Sequence, residues 1–274
     1  MAVTKKLSLL ALLLPLTTYV NADDTAEENA PDPGDHTKVS SVVSATYGVQ
    51  SLGEDDNNYV QLVGQMSGAK DNGNLFLGSI ALSGQENANT FPADDSFDIS
   101  QFRARYFEVK RTEWESAPML GMSFDYVETS FVDGAPMDRL FAVGGLIRMT
   151  TPFDNWLSFP ILAAAVGQNS DFAKDFAGAD STTYGVQFNF LNSIYLHENG
   201  THIQINPQFS SLDFGGDMGT INTLQLDTVY QMPISSNRKH WGKVTYTEYF
   251  DDANQSFGHN DQGRELKLTY SYFL

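Results

Sequence analysis

Arg264-Glu265-Leu266-Lys267-Leu268-Thr269-Tyr270-Ser271-Tyr272-Phe273-Leu274 ends the chain in a strict two-residue alternation, with no charge after Lys267. Period-two patterning is the mark of a strand with one apolar and one polar face. At the edge of a soluble sheet this strand would expose a flat apolar ladder, a liability that natural proteins usually blunt. In a membrane barrel it is simply the last strand. Leu266, Leu268, Tyr270, Tyr272 and Leu274 then face lipid, and Glu265, Lys267, Thr269 and Ser271 face a polar interior.

The other terminus agrees with this address. Lys5 and Lys6 precede an apolar run from Leu7 to Val20, and Val20-Asn21-Ala22 offers small residues at a cleavage point before Asp23. That is the layout of a secretory signal peptide. The run is shorter than the roughly 20 residues a spanning helix needs, and Pro15 interrupts it. The expected organisation is a signal peptide over residues 1–22, an acidic disordered periplasmic leader over 23–37 and a barrel over 38–274. The leader assignment rests on six acids crowded among Pro31, Pro33 and Gly34, a composition that cannot bury enough apolar surface to fold.

Cysteine is absent, so an exported protein of this size has no disulfides to brace it. Zinc-thiolate sites and cysteine nucleophiles are excluded with it, and no cofactor is called for. The formal charge of −18 becomes two units more negative once Lys5 and Lys6 leave. A chain so acidic is not a nucleic-acid binder, because neutralising phosphates requires clustered lysine and arginine.

From Thr37 onward no segment carries a convincing helical stripe, whereas alternating stretches recur about every twenty residues, the spacing of a strand plus its connection. Twelve are expected: 38–49, 58–68, 74–83, 97–109, 118–128, 139–150, 155–167, 182–192, 201–210, 220–231, 239–250 and 264–274. Poor alternation from Asn74 to Ser83 leaves ten or fourteen open. Leu120, Met122, Phe124 and Tyr126 show the lipid parity, as do Tyr184, Val186, Phe188 and Phe190. Short connections alternate with mostly longer, acid-bearing ones, the asymmetry of outer-membrane barrels between periplasmic turns and external loops. Trp114, Trp156 and Trp241 lie in or beside short turns and are expected, with Tyr106, Phe153, Tyr270 and Tyr272, to form a periplasmic aromatic belt.

Together, the signal peptide, absent cysteine, alternating strands, acidic loops and aromatic final strand resemble a Gram-negative outer-membrane β-barrel protein, porin-like and of about twelve strands. The resemblance covers Thr37 to Leu274 and fixes no family within the class. It implies an antiparallel transmembrane β-barrel in the outer membrane, in contact with lipid and lipopolysaccharide. The last strand resembles the segment read by the barrel-assembly machinery, departing from it in that Leu274 follows Phe273.

A twelve-stranded barrel is wider than the eight-stranded kind that side chains fill and narrower than open sixteen-stranded pores. The inward parity assigns Arg103, Arg105, Asp125, Arg148, Asp227, Lys243, Glu265 and Lys267 to the lumen, with Gln61, Gln65, Gln187, Asn189, Gln204, Asn206, Gln208 and Gln225 as neutral lining. Arg103, Arg105 and Arg148 admit two readings: a basic track favouring anionic solutes at a constriction, or a network paired with Asp125 that fills the barrel. Asp94, Asp95, Asp251 and Asp252 are loop candidates for divalent cations bridging to lipopolysaccharide, against the blander reading of a solvated acidic surface. Only His259, near Asp251, Asp252 and Asp261, places a histidine among external carboxylates. No G-x-S-x-G elbow occurs, so a rim hydrolase ranks last. The leading expectation is a narrow passive channel for small polar solutes; the alternative is a closed structural or surface-interaction barrel working through its loops.

Overall fold

The computed structural model describes residues 40–52, 55–70, 72–86, 97–132, 134–250 and 263–274. The expected signal peptide and leader lie outside the described residues, as do Asp94, Asp95, Asp251, Asp252 and His259. Twelve strands follow in order: β1 (Ser40–Leu52), β2 (Asp55–Ala69), β3 (Leu75–Glu86), β4 (Phe97–Arg111), β5 (Met119–Glu128), β6 (Met137–Arg148), β7 (Trp156–Asn169), β8 (Thr182–Tyr195), β9 (His202–Asp213), β10 (Thr220–Pro233), β11 (His240–Tyr249) and β12 (Arg264–Phe273). Each pairs antiparallel with its neighbours in sequence, and β1 pairs with β12, from Val42 opposite Phe273 to Ser51 opposite Arg264, to close the ring. Closure is what lipid demands, since an open strand edge would leave donors and acceptors with no water to satisfy them.

Parity decides which face is which. On β12, Leu266 and Leu268 are exposed on the outer surface, as is Leu274 just beyond it, while Glu265, Thr269 and Ser271 are buried, as the alternation requires. The same split runs through β7, where Leu162 and Val166 are exposed and Ile161, Ala163 and Ala165 are buried. In water such an apolar exterior would be untenable. In a bilayer it is the band that dissolves in lipid.

Two prolines interrupt this wall. Pro160 on β7 sits opposite Phe190 of β8, and Pro207 on β9 opposite Leu226 of β10. Neither has an N–H to give to the ladder, and interior strands seldom tolerate that. Asn192 makes good the deficit at Pro207: its backbone N–H donates to Asn206 Oδ1 at 2.9 Å and its side-chain amide donates to the carbonyl of Ile205 at 3.0 Å. Its own Oδ1 accepts from Ser158 Oγ at 2.9 Å and Trp156 Nε1 at 3.2 Å. Asn192→Leu strands these groups in a low-dielectric wall, and the barrel should lose about 1–3 kcal/mol, read as a lower urea midpoint with unchanged slope. An unaltered midpoint would remove Asn192 from this role.

One element departs from the expectation of an all-strand chain. A short helix, α1 (Asp171–Ala177), lies in the β7–β8 connection. Ser170 caps it by accepting from the Ala173 N–H, and Gly178 ends it in the left-handed conformation at φ 66°. Lys174 pairs with Asp171 at 2.6 Å and holds that carboxyl below its ordinary range. Seven residues are too few to show a periodic stripe, so the helix rests on its caps rather than on amphipathicity.

Candidate functional site

The barrel has two unlike ends. The β2–β3, β4–β5, β6–β7, β8–β9 and β10–β11 turns lie at the end that carries the start of β1 and the close of β12; the β7–β8 connection with α1 and the β9–β10 turn lie at the other. In outer-membrane barrels the end that carries the short turns is the periplasmic one.

Between the ends, inward side chains from all twelve strands enclose a central chamber of about 410 Å³. Gln61, Gln65, Gln187, Asn189, Gln204, Asn206 and Gln208 line it, so every neutral lumenal candidate except Gln225 is part of the wall. Of the charged candidates, Arg105, Asp125, Asp227 and Lys243 line it too.

On the β4–β5 wall the charges are unevenly paired. Arg103 donates to Asp125 from Nε at 2.9 Å and again from Nη2, and Arg105 donates from Nε to the same carboxylate at 3.3 Å. Two guanidiniums thus share one aspartate, which leaves an excess positive charge facing the chamber. Across the lumen Asp227 accepts the Thr247 hydroxyl at 2.7 Å, and Lys243 forms no ion pair among the described residues. Glu265 and Lys267 pair with each other at 2.6 Å, and the Lys267 ammonium stands 5.5 Å from the centroid of the Tyr59 ring. Arg148 takes the inward parity but occupies the last position of β6, opposite Met119, and does not line the chamber. It therefore does not join Arg103 and Arg105 in one track.

Sequence reasoning missed the inward tyrosines. Tyr59 meets Ser83 Oγ at 3.1 Å, and Tyr249 donates to Glu265 at 3.4 Å. Their parity with Gln61 and with Lys243 was the signal that could have placed them.

Residue type outranked parity for Trp241, which is not a belt residue. It shares the inward parity of Lys243, is fully buried, and donates from Nε1 to the carbonyl of Arg238 at 2.6 Å. With Val42 and Phe273 it forms an apolar cluster at the turn end of the lumen, its ring 6.3 Å from that of Phe273. Trp114, by contrast, is 63% exposed, and Trp156 lies half-buried beside Asn192; both fit the expected belt. Beside the chamber Leu75, Leu77, Phe107, Val109, Leu146, Phe159, Ile161 and Leu191 bound an apolar cavity of about 130 Å³.

At the loop end, the α1 connection and the β9–β10 turn are tied together. Asp180 N–H donates to the carbonyl of Phe214 at 2.9 Å, Asp217 N–H to that of Gly178 at 2.9 Å, and the Asn169 amide to both Asp180 and Phe214. Phe214 is buried in one cluster with the inward-parity Leu140, Ala165, Leu212 and Ile221, and Ala179 and Met218 pack against it. That side of the mouth is capped by folded chain. Phe172 and Phe176 stack on each other at 5.2 Å, with Phe176 exposed rather than turned into the lumen.

No protein-family model matches the chain, and no curated protein does. Solved structures do. An outer-membrane channel from Pseudomonas putida superposes with a TM-score of 0.58 at 10% identity, covering 89% of this chain and all of the other. The KdgM porin solved with disordered oligogalacturonate matches with a TM-score of 0.50 at 7% identity, over 84% of this chain and 98% of the other. Outer-membrane phospholipase A from Escherichia coli gives 0.50 at 9% identity, over 93% and 94%. At such identities the likeness is one of fold. The chain is a closed twelve-stranded antiparallel barrel, the fold these outer-membrane proteins share.

Proposed function

We propose that this protein is a narrow, passive outer-membrane channel for small polar solutes, with a preference for anions and no chemistry performed on the solute. The observation that carries the reading is the sharing of Asp125 by Arg103 and Arg105 in a lumen whose chamber wall also carries eight side-chain amides. Amide walls offer donors and acceptors to replace a solute's water, and an unbalanced guanidinium favours the negative one. The channel and porin among the structures of like fold support the reading. Export through residues 1–22, a periplasmic leader over 23–37 and membrane insertion by way of β12 complete it.

A second reading has its own support: the Trp241–Phe273 cluster at the turn end and the folded cap at the loop end suit a closed structural barrel that acts through its loops. Single-channel recording of the refolded mature protein in planar bilayers, with reversal potential under a salt gradient, separates the two. Under the channel reading, discrete conductance steps carry an anion preference that falls toward neutrality in the Arg103→Ala/Arg105→Ala double variant. Folded protein that leaves the membrane silent supports the closed barrel.

A further inference from the structure

The chamber and the apolar cavity adjoin. They share Leu77, Phe107, Ile161 and Leu191 as common wall. Leu77 and Phe107 are register partners across β3 and β4. Arg105 stands two residues along β4 from Phe107 on the same inward face, a separation of about 7 Å on an extended strand. The guanidinium that shares its aspartate with Arg103 therefore sits at the edge of an apolar slot. A lumen built only to pass hydrated ions has no use for such a slot beside its excess charge, because small inorganic ions bring no apolar surface to bury.

We propose that the lumen binds a small amphipathic anion, a monocarboxylate with a short hydrocarbon tail. The carboxylate pairs with Arg105, whose fork-shaped donors match its geometry, and the tail enters the slot bounded by Leu77, Phe107, Ile161 and Leu191. This deepens the channel reading and rests on it for the solute's passage, while the binding itself stands apart from conduction. Each methylene moved from water into the slot strengthens binding about fourfold. Hexanoate, with four methylenes more than acetate, should therefore bind at least tenfold tighter even if part of its tail stays wet.

Two readouts on the full mature barrel keep the binding and the channel distinguishable. In lipid nanodiscs carrying isotope-labelled leucine and isoleucine methyls, hexanoate should shift the Leu77, Leu191 and Ile161 signals at concentrations tenfold or more below acetate. Pentyltrimethylammonium, with the same tail and the opposite charge, should not. In planar bilayers hexanoate should block the current with the same preference over acetate. Leu191→Phe, which fills the slot without stranding a polar group, should abolish the preference for hexanoate over acetate; Arg105→Gln should weaken both acids. Methyl shifts in a barrel that never conducts would support the binding and remove the channel. A conducting barrel in which hexanoate and acetate act alike, or in which the cationic analogue matches hexanoate, overturns the proposal and leaves the channel standing.

Discussion

Leu268→Arg should cost the refolded barrel about 2–4 kcal/mol, the penalty for a guanidinium held against lipid near the bilayer midplane. Leu268 lies midway along β12, is 57% exposed, and belongs to the outward set with Leu266, Tyr270 and Tyr272. Leu274, at the end of the same face, is even more exposed, yet Leu274→Arg should cost only about 0–1 kcal/mol, because there the side chain reaches headgroups and water. Urea titration of both variants in phosphatidylcholine vesicles makes the comparison. Exposure alone predicts the reverse order or no difference. Equal midpoints would therefore take away the lipid-facing assignment of β12 and with it the simplest account of the apolar exterior.

Trp241→Ala should be the most damaging truncation of an aromatic residue in the chain. The indole is wholly buried against Val42 and Phe273, and its Nε1 donates to the Arg238 carbonyl. Removing it takes away that packing and opens a void at the turn end of the lumen, at a cost of about 3–5 kcal/mol. Trp114→Ala removes a ring that is 63% exposed and should stay within about 0.5 kcal/mol of the parent. The pair tests the correction made to the aromatic belt, since a belt tryptophan and a lumenal one differ in what they pack against. Under the channel reading Trp241→Ala also widens the inner exit, so surviving folded protein should show a larger single-channel conductance. A variant as stable as the parent would return Trp241 to the membrane interface.

Legibility differed sharply between the features of this molecule. The twelve strands and their faces could be read because a barrel wall repeats every two residues, and each face meets a different solvent along the whole strand. β12 shows this plainly: Leu268 outside and Thr269 inside follow from alternation alone. Trp241 could not be placed while residue type was allowed to outrank parity, although Lys243 two positions on carried the answer. Helix α1 left too short a trace to read, and its caps acquire meaning only once Ser170 and Gly178 flank a connection that must turn back.

What the sequence determined by itself is the run of alternating strands, with twelve as the expected count, and the lipid or lumen parity of most of their side chains, because these are local consequences of a period-two chain in a bilayer. Which lumenal side chains meet was decided by tertiary structure. Arg103 reaches Asp125 only because β4 and β5 pair in the register that sets Arg105 opposite Asp125. Val42 meets Phe273 only because the ring closes on β1 and β12, and Phe214 joins Leu140 and Ile221 only because two connections fold together over the mouth. Register, closure and loop packing depend on residues far apart in the chain, and no periodicity encodes them.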